Sequence, residues 1–255
     1  MEKLKVGIIG GSGLDDPELL TDFMEYDIKE TKYGKPSSKI TSGSLGPAQV
    51  YILSRHGRNH EIPPSQVNYR ANIFLLKSFG CRYILATTAV GSLREEIKPE
   101  NLVFPNQFID FTKNRKNTFY DQIGEVVHTQ MSEPFDKRLR NILCECCNEL
   151  NFPYNKDTTV ITIEGPRFST KAESYMFRQF GADIINMSTC TEVILANEAG
   201  IPYQSIAMST DYDCWKNNEE PVTWEMVKNR MEKNSEKVKK LLVKGIEKLC
   251  LEEEQ

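Results

Sequence analysis

Lys5-Val6-Gly7-Ile8-Ile9-Gly10-Gly11-Ser12-Gly13 sets the reading of the chain. A compact apolar, partly β-branched run that ends at once in glycines marks a buried strand leaving a sheet through a tight turn. Similar runs recur at 50–53, 83–86, 102–104, 159–163, 184–187 and 203–208. Between them, helical patterns cover 65–79, 137–150, 170–180, 192–199 and 224–251. Strands alternating with helices predict an α/β domain around a largely parallel sheet. At 255 residues, with no repeat or long linker, one domain over 1–255 is expected. The last helix reads as amphipathic, with a solvated acidic end at Glu252-Glu253-Glu254-Gln255.

Lys and Arg number 32 against 36 Asp and Glu, a net charge of −4. That balance carries no footprint for nucleic acid or anionic lipid, so neither is expected as a partner. Any anionic substrate must be held by local donors. Seven cysteines form no spaced framework, and Cys144, Cys146 and Cys147 lie within one helix without zinc-site spacing; no metal is expected. No long apolar window is present, and the start of the chain lacks a cleavage-site pattern. The expectation is a soluble cytoplasmic protein.

In open α/β sheets ligands collect at the carboxyl ends of strands, so the residues after each run matter most. Gly10-Gly11-Ser12-Gly13 suits an anion-binding nest and also a plain turn. It is no dinucleotide fingerprint, because Asp16 stands where the third glycine belongs. Ser54-Arg55-His56-Gly57-Arg58-Asn59-His60 holds two of the three histidines and two guanidinium groups; arginine forks match oxyanion geometry. Thr87-Thr88-Ala89-Val90-Gly91-Ser92 adds hydroxyls. Three donor clusters in one small domain point to a single oxyanion, most simply phosphate. A fourth cluster, Ser209-Thr210-Asp211-Tyr212-Asp213-Cys214-Trp215, carries paired acids. Such acids suit a divalent metal, glycoside hydrolysis or hydrogen bonds to a nitrogen heterocycle, metal least of all; they also suit a helix cap before Trp215.

Taken together, GIIGGSGLDD (7–16), SRHGRNH (54–60), PPSQVNYRANI (63–73), TTAVGSLREEI (87–97), EGPRFST (164–170), ADIINMST (182–189) and AMSTDYDCW (207–215) resemble the 5'-methylthioadenosine phosphorylases. These form part of the trimeric branch of the purine nucleoside phosphorylases. The resemblance runs in order over about residues 5 to 230. It implies a phosphorylase fold with a central mixed, largely parallel sheet flanked by helices. It further implies phosphate held by Ser12, Arg55, His56, Thr88, Ala89 and Ser188, ribose at Met187, and Phe168 packed on the base or sugar. Asp211 and Asp213 would face the purine N7 and 6-amino edge, with Asp211 the catalytic acid and Tyr212 and Val222 in the substrate-binding set. Ser169 and Trp224 would set specificity. His128 would reach into the 5' pocket of a neighbour in a homotrimer.

The implied reaction is reversible phosphorolysis of S-methyl-5'-thioadenosine to adenine and 5-methylthioribose 1-phosphate, a pentosyl transfer in purine and methionine salvage. Phosphate is then a co-substrate and no cofactor is needed. A desolvated Asp211 with a raised pKa would protonate or hydrogen-bond N7. Hydroxyl-recognising relatives place a histidine after the base-binding loop, whereas no histidine follows His128 here. Pro221-Val222-Thr223-Trp224 and Val227 suggest an apolar 5' pocket, suited to a methylthio group. Trp224 stands where those enzymes have a small aliphatic residue, and the C-terminal segment is shorter than their usual lid. The alternatives are a phosphorylase of broader or 6-oxopurine specificity, a hydrolytic nucleosidase and a non-catalytic purine-binding protein.

Overall fold

The computed structural model describes residues 3–10 and 20–254. The opening run is strand β1 (Lys5–Gly10), flanked in parallel by β4 (Ala48–Ser54) and β5 (Tyr83–Ser92). Beyond β4, β2 (Thr21–Tyr26) and β3 (Ile40–Leu45) form an antiparallel edge. On the other side β5 pairs with both β8 (Ile184–Asn186) and β9 (Tyr203–Asp211). From β8 the ladder passes through β7 (Tyr154–Ile163) and β6 (Leu102–Phe111) back to β9. Strands β5, β8, β7, β6 and β9 thus close into a barrel at one end of the sheet. Parallel pairings join β1 to β4 and β5, β5 to β9, and β7 to β6 and β8. The edge, β5–β8 and β6–β9 pairings are antiparallel, so the sheet is mixed.

Helices cover both faces of this sheet. On one side, α2 (Lys137–Leu150) and α5 (Trp224–Glu253) bury Leu139, Leu143, Val238, Leu242 and Ile246 against β1, β4 and β9. Cys144, Cys146 and Cys147 belong to this packing as buried free thiols. On the other side lie α1 (Tyr69–Ser78) and α4 (Thr189–Glu198), with α3 (Lys171–Gln179) packing through Phe177 on the barrel.

Several details depart from the sequence reading. The helix expected over 65–79 is a 3-10 turn at Pro64–Gln66 followed by α1, because the Asn68 side chain caps Ala71 N–H and starts a new helix. The acidic end of α5 is not simply solvated: Arg138 pairs with Glu252 and Glu253, and Arg82 with Glu253. No helix begins at 212–215; Trp215 is buried and its indole N–H donates to Ser92 O at 2.8 Å, so the acidic segment is not a helix cap.

The main difference concerns β5 and β9. Both continue past the apolar residues, to Ser92 and Asp211, because the barrel wall buries small polar residues there: Thr87, Ser92, Ser209 and Thr210 are all 1% exposed or less. The register pairs Val90 with Ser209 but Gly91 with Asp211, which leaves Thr210 as an extra, bulged residue. A bulge reverses the alternation of side chains beyond it and re-aims them. Here it turns Asp211 into the cleft. Glycine at 91 leaves the required space, since a Cβ there would stand 3.0 Å from Asp211 Oδ1.

Candidate active site

A cavity of about 330 Å3 lies at the carboxyl ends of β4, β5, β8 and β9, closed on one side by the first turns of α5. It has three lobes, distinguished by their chemistry.

The first lobe is rich in hydrogen-bond donors. Arg55 follows β4, and its backbone N–H donates to Gly10 O at 3.0 Å, which brings the end of β1 alongside. Its side chain is 2% exposed. Nε and Nη2 bind the two carboxylate oxygens of Glu192, Nη2 at 2.8 Å, while Nη1 donates to Thr87 O at 2.8 Å. Tyr203 donates its hydroxyl to Glu192 Oε2 at 2.8 Å. These bonds use three of the five guanidinium N–H groups and leave one on each terminal nitrogen, a fork of the right shape for an oxyanion. His56 donates from Nδ1 to Ile62 O at 2.9 Å. Burial and the adjacent Arg55 lower its pKa to about 4, so the imidazole is neutral. With Nδ1 protonated, Nε2 is an acceptor and suits a protonated phosphate oxygen. Thr88 and Ala89 line the same lobe. Ser188 heads α4, yet its hydroxyl does not cap the helix; Asn186 Oδ1 takes the N–H groups of Ser188 and Thr189 instead. That hydroxyl stays available to a ligand.

The second lobe is acidic. Asp211 is 7% exposed. Oδ1 accepts from Asp213 N–H at 2.8 Å and Oδ2 from the Thr210 hydroxyl at 2.6 Å. Burial nevertheless raises its pKa to about 6, and the Asp213 charge adds to this. Asp213, in a left-handed conformation with φ of 49°, is also raised by burial. Phe168 and Ser169 complete this lobe.

Met187 lies between the two lobes. Its carbonyl accepts from Arg115 Nη2 at 3.1 Å. Arg115 also bonds Pro64 O, Glu164 O, a Glu164 carboxylate oxygen and the Tyr69 hydroxyl. One buried guanidinium therefore ties together three loops around the cavity. Gly165 permits their close packing, because at φ of 67° any Cβ would stand 2.4 Å from Met187 Sδ.

The third lobe, beyond His56, is aromatic and apolar: His60, Pro64, Trp224, Val227 and Met231. His60 stacks on Trp224 with centroids 4.4 Å apart and meets His56 at 4.6 Å with the rings tilted by 38°.

Residues 5–247 fit the model of the Phosphorylase superfamily. The chain belongs to the phosphorylase superfamily. Among superfamily members, S-methyl-5'-thioadenosine phosphorylase of Drosophila melanogaster is 50% identical over 254 residues, covering 98% of this chain and 88% of the fly protein. Methylthioadenosine phosphorylase from Schistosoma mansoni in complex with adenine superposes with a TM-score of 0.92 at 42% identity, covering 97% of this chain and 92% of that one. A mutant of the adenosine/methylthioadenosine phosphorylase from Schistosoma mansoni, in complex with methylthioadenosine, gives 0.89 at 40% identity with the same coverage.

Against this superfamily frame, the cavity gathers Arg55, His56, Thr88, Ala89, Ser188, Met187, Phe168, Ser169, Asp211, Asp213 and Trp224 from the residues singled out in the sequence. Ser12 lies outside the described residues. Tyr212 turns away, its hydroxyl 3.4 Å from Glu95 O and its ring edge-on to Trp215. Val222 packs against the core beside α5, while Val227 and Met231 line the third lobe. His128 is exposed in the segment between β6 and α2 and does not line the cavity of a single chain. The sequence reading missed Glu192, Asn186, Thr210 and Arg115, and assigned nothing to His60. Glu192 stood in view at the start of a predicted helix, but only the fold brings it to Arg55. Among the described residues no three His, Cys, Asp or Glu side chains come together to hold a metal, and no helix is long and apolar enough to cross a membrane.

Proposed function

We propose that the chain is a pentosyltransferase that catalyses reversible phosphorolysis of S-methyl-5'-thioadenosine, giving adenine and 5-methylthioribose 1-phosphate for purine and methionine salvage. One observation carries this reading: a single cavity places a buried oxyanion fork at one end and a desolvated acid pair at the other, with room for a sugar between them. Phosphate, held by Arg55, His56, Thr88, Ala89 and Ser188, with Ser12 expected to join them, attacks C1' as the glycosidic bond loosens. Its negative charge then lies against the oxocarbenium-like sugar. Asp211 delivers a proton or hydrogen bond to N7 of the leaving purine, and Asp213 accepts from the 6-amino group. Met187 contacts the ribose, and Phe168, Ser169 and Trp224 complete the substrate surroundings. Phosphate is a co-substrate in this scheme and no cofactor enters it.

A second reading, a phosphorylase that also takes 5'-hydroxyl nucleosides, is favoured by His60. The sequence places no histidine after His128, yet the fold carries the His60 imidazole into the third lobe, where it stacks on Trp224. Phosphate-dependent cleavage of methylthioadenosine, adenosine, methylthioinosine and inosine separates the readings. Methylthioadenosine is expected to have the highest kcat/KM, with adenosine measurable through His60. Faster turnover of inosine than of methylthioadenosine overturns the assignment.

The protein is further proposed to be cytoplasmic and homotrimeric, with His128 completing a neighbour's 5' pocket. Exposed Phe111, Tyr175 and Phe180 in and beside the barrel support such an interface. A fully active monomer by light scattering would contradict it.

A further inference from the structure

Arg230 occupies the cavity-flanking part of α5, three residues after Val227 and one before Met231, both of which line the third lobe. Its guanidinium reaches back to β9, where Nη1 donates to the carbonyl oxygen of Thr210, the bulged residue that aims Asp211. The Thr210 hydroxyl lies within reach of two acceptors, Asp211 Oδ2 at 2.6 Å and Val90 O at 3.2 Å. A hydroxyl has one proton to donate. It donates to Asp211 when that carboxylate is ionised; when Asp211 carries a proton, the hydroxyl turns to Val90 O and accepts from Asp211. Arg230 therefore anchors the peptide whose side chain follows the proton on the acid.

We propose that Arg230 is a positioning residue that, through the Thr210 peptide it holds, lowers the pH at which Asp211 gives up its proton. This deepens the phosphorolytic reading and rests on it for the role of Asp211. The charged groups facing Asp211 are Asp213, in the turn after β9, and Arg230, on α5; strand β5 presents Gly91 and the carbonyl of Val90. Burial and the Asp213 charge favour the neutral acid; the Thr210 hydroxyl, the Asp213 N–H and, more weakly, the Arg230 charge favour the carboxylate. The sign follows. Without the cation the folded acid holds its proton to higher pH. An acid that must be protonated to act then stays active to higher pH.

The test uses the full-length protein in three variants, with Asp211 titrated by carbon NMR of aspartate carboxyls in the ligand-free state and kcat followed against pH. R230M should move the Asp211 titration up by about half a pH unit, with the falling limb of kcat moving alongside. R230Q keeps a donor for the Thr210 carbonyl without the charge and should move it less, whereas R230K should restore both values. An unmoved carboxyl titration in a folded R230M protein overturns the proposal. So does a shift that R230K fails to reverse. Because the titration needs no substrate, it reads Arg230 even if methylthioadenosine is not the nucleoside; a shifted titration with no phosphorolysis contradicts the proposed function alone.

Discussion

Replacing Asp211 by asparagine is expected to lower kcat/KM for methylthioadenosine by about 10² to 10⁴, the usual contribution of a positioned general acid. Asparagine fills the same space and can donate a hydrogen bond to N7, but it cannot pass a proton. Its amide N–H also suits the carbonyl oxygen of a 6-oxopurine, so the preference for adenine over hypoxanthine nucleosides should narrow or invert. An unchanged ratio of the two would count against the role given to Asp211. Stability should move the other way. The folded pKa of Asp211, about 6, lies above the ordinary carboxylate value near 4, so the native state binds this proton more tightly than the unfolded chain. Its contribution to stability is complete at low pH and is lost as pH rises through that interval. At neutral pH the buried charge costs on the order of 3 kcal/mol. D211N should therefore melt no lower than the parent at pH 7.5, and any advantage should shrink as pH falls toward 4.

Removing Arg55 should have the largest effect on both binding and stability. Arg55→Ala leaves Glu192, at 1% exposure, as an uncompensated buried charge. Breaking a buried pair by deleting one partner costs about 3 to 5 kcal/mol, or a fall in melting temperature of roughly 10 °C. The KM for phosphate should rise far more than the KM for nucleoside, because the lost fork faces the anion lobe. The double variant Arg55→Met, Glu192→Leu separates the two effects: apolar replacement of both partners should recover most of the stability without recovering phosphate affinity. Equal rises in the two KM values in that folded double variant would remove Arg55 from the phosphate site.

The extent to which the sequence foretold this site follows from the physics of each part. Strand β1 and the apolar portions of β4, β7 and β9 were legible because strands buried on both faces read as continuous apolar runs. Strand β2 was not legible, since it is a largely exposed edge, and β3 carries Thr, Ser and Gly in place of such a run. The donor residues were legible as clusters at strand ends. What remained hidden was register: one bulged residue, Thr210, decides where Asp211 points, and nothing in Ser209-Thr210-Asp211 announces it. Long-range partners were hidden for the same reason. Glu192 meets Arg55 across 137 positions of chain, and Arg115 gathers Pro64, Glu164 and Met187. His60 shows the converse. The histidine count after residue 128 argued for a purely apolar 5' pocket, while the fold delivered an imidazole from a different segment.

Cleavage of methylthioadenosine followed by phosphorus NMR, with inorganic phosphate present and then omitted, separates phosphorolysis from hydrolysis. Adenine is expected only with phosphate, in equimolar amount with a new sugar 1-phosphate resonance. Adenine released at an equal rate without phosphate, together with free methylthioribose, would contradict phosphorolysis.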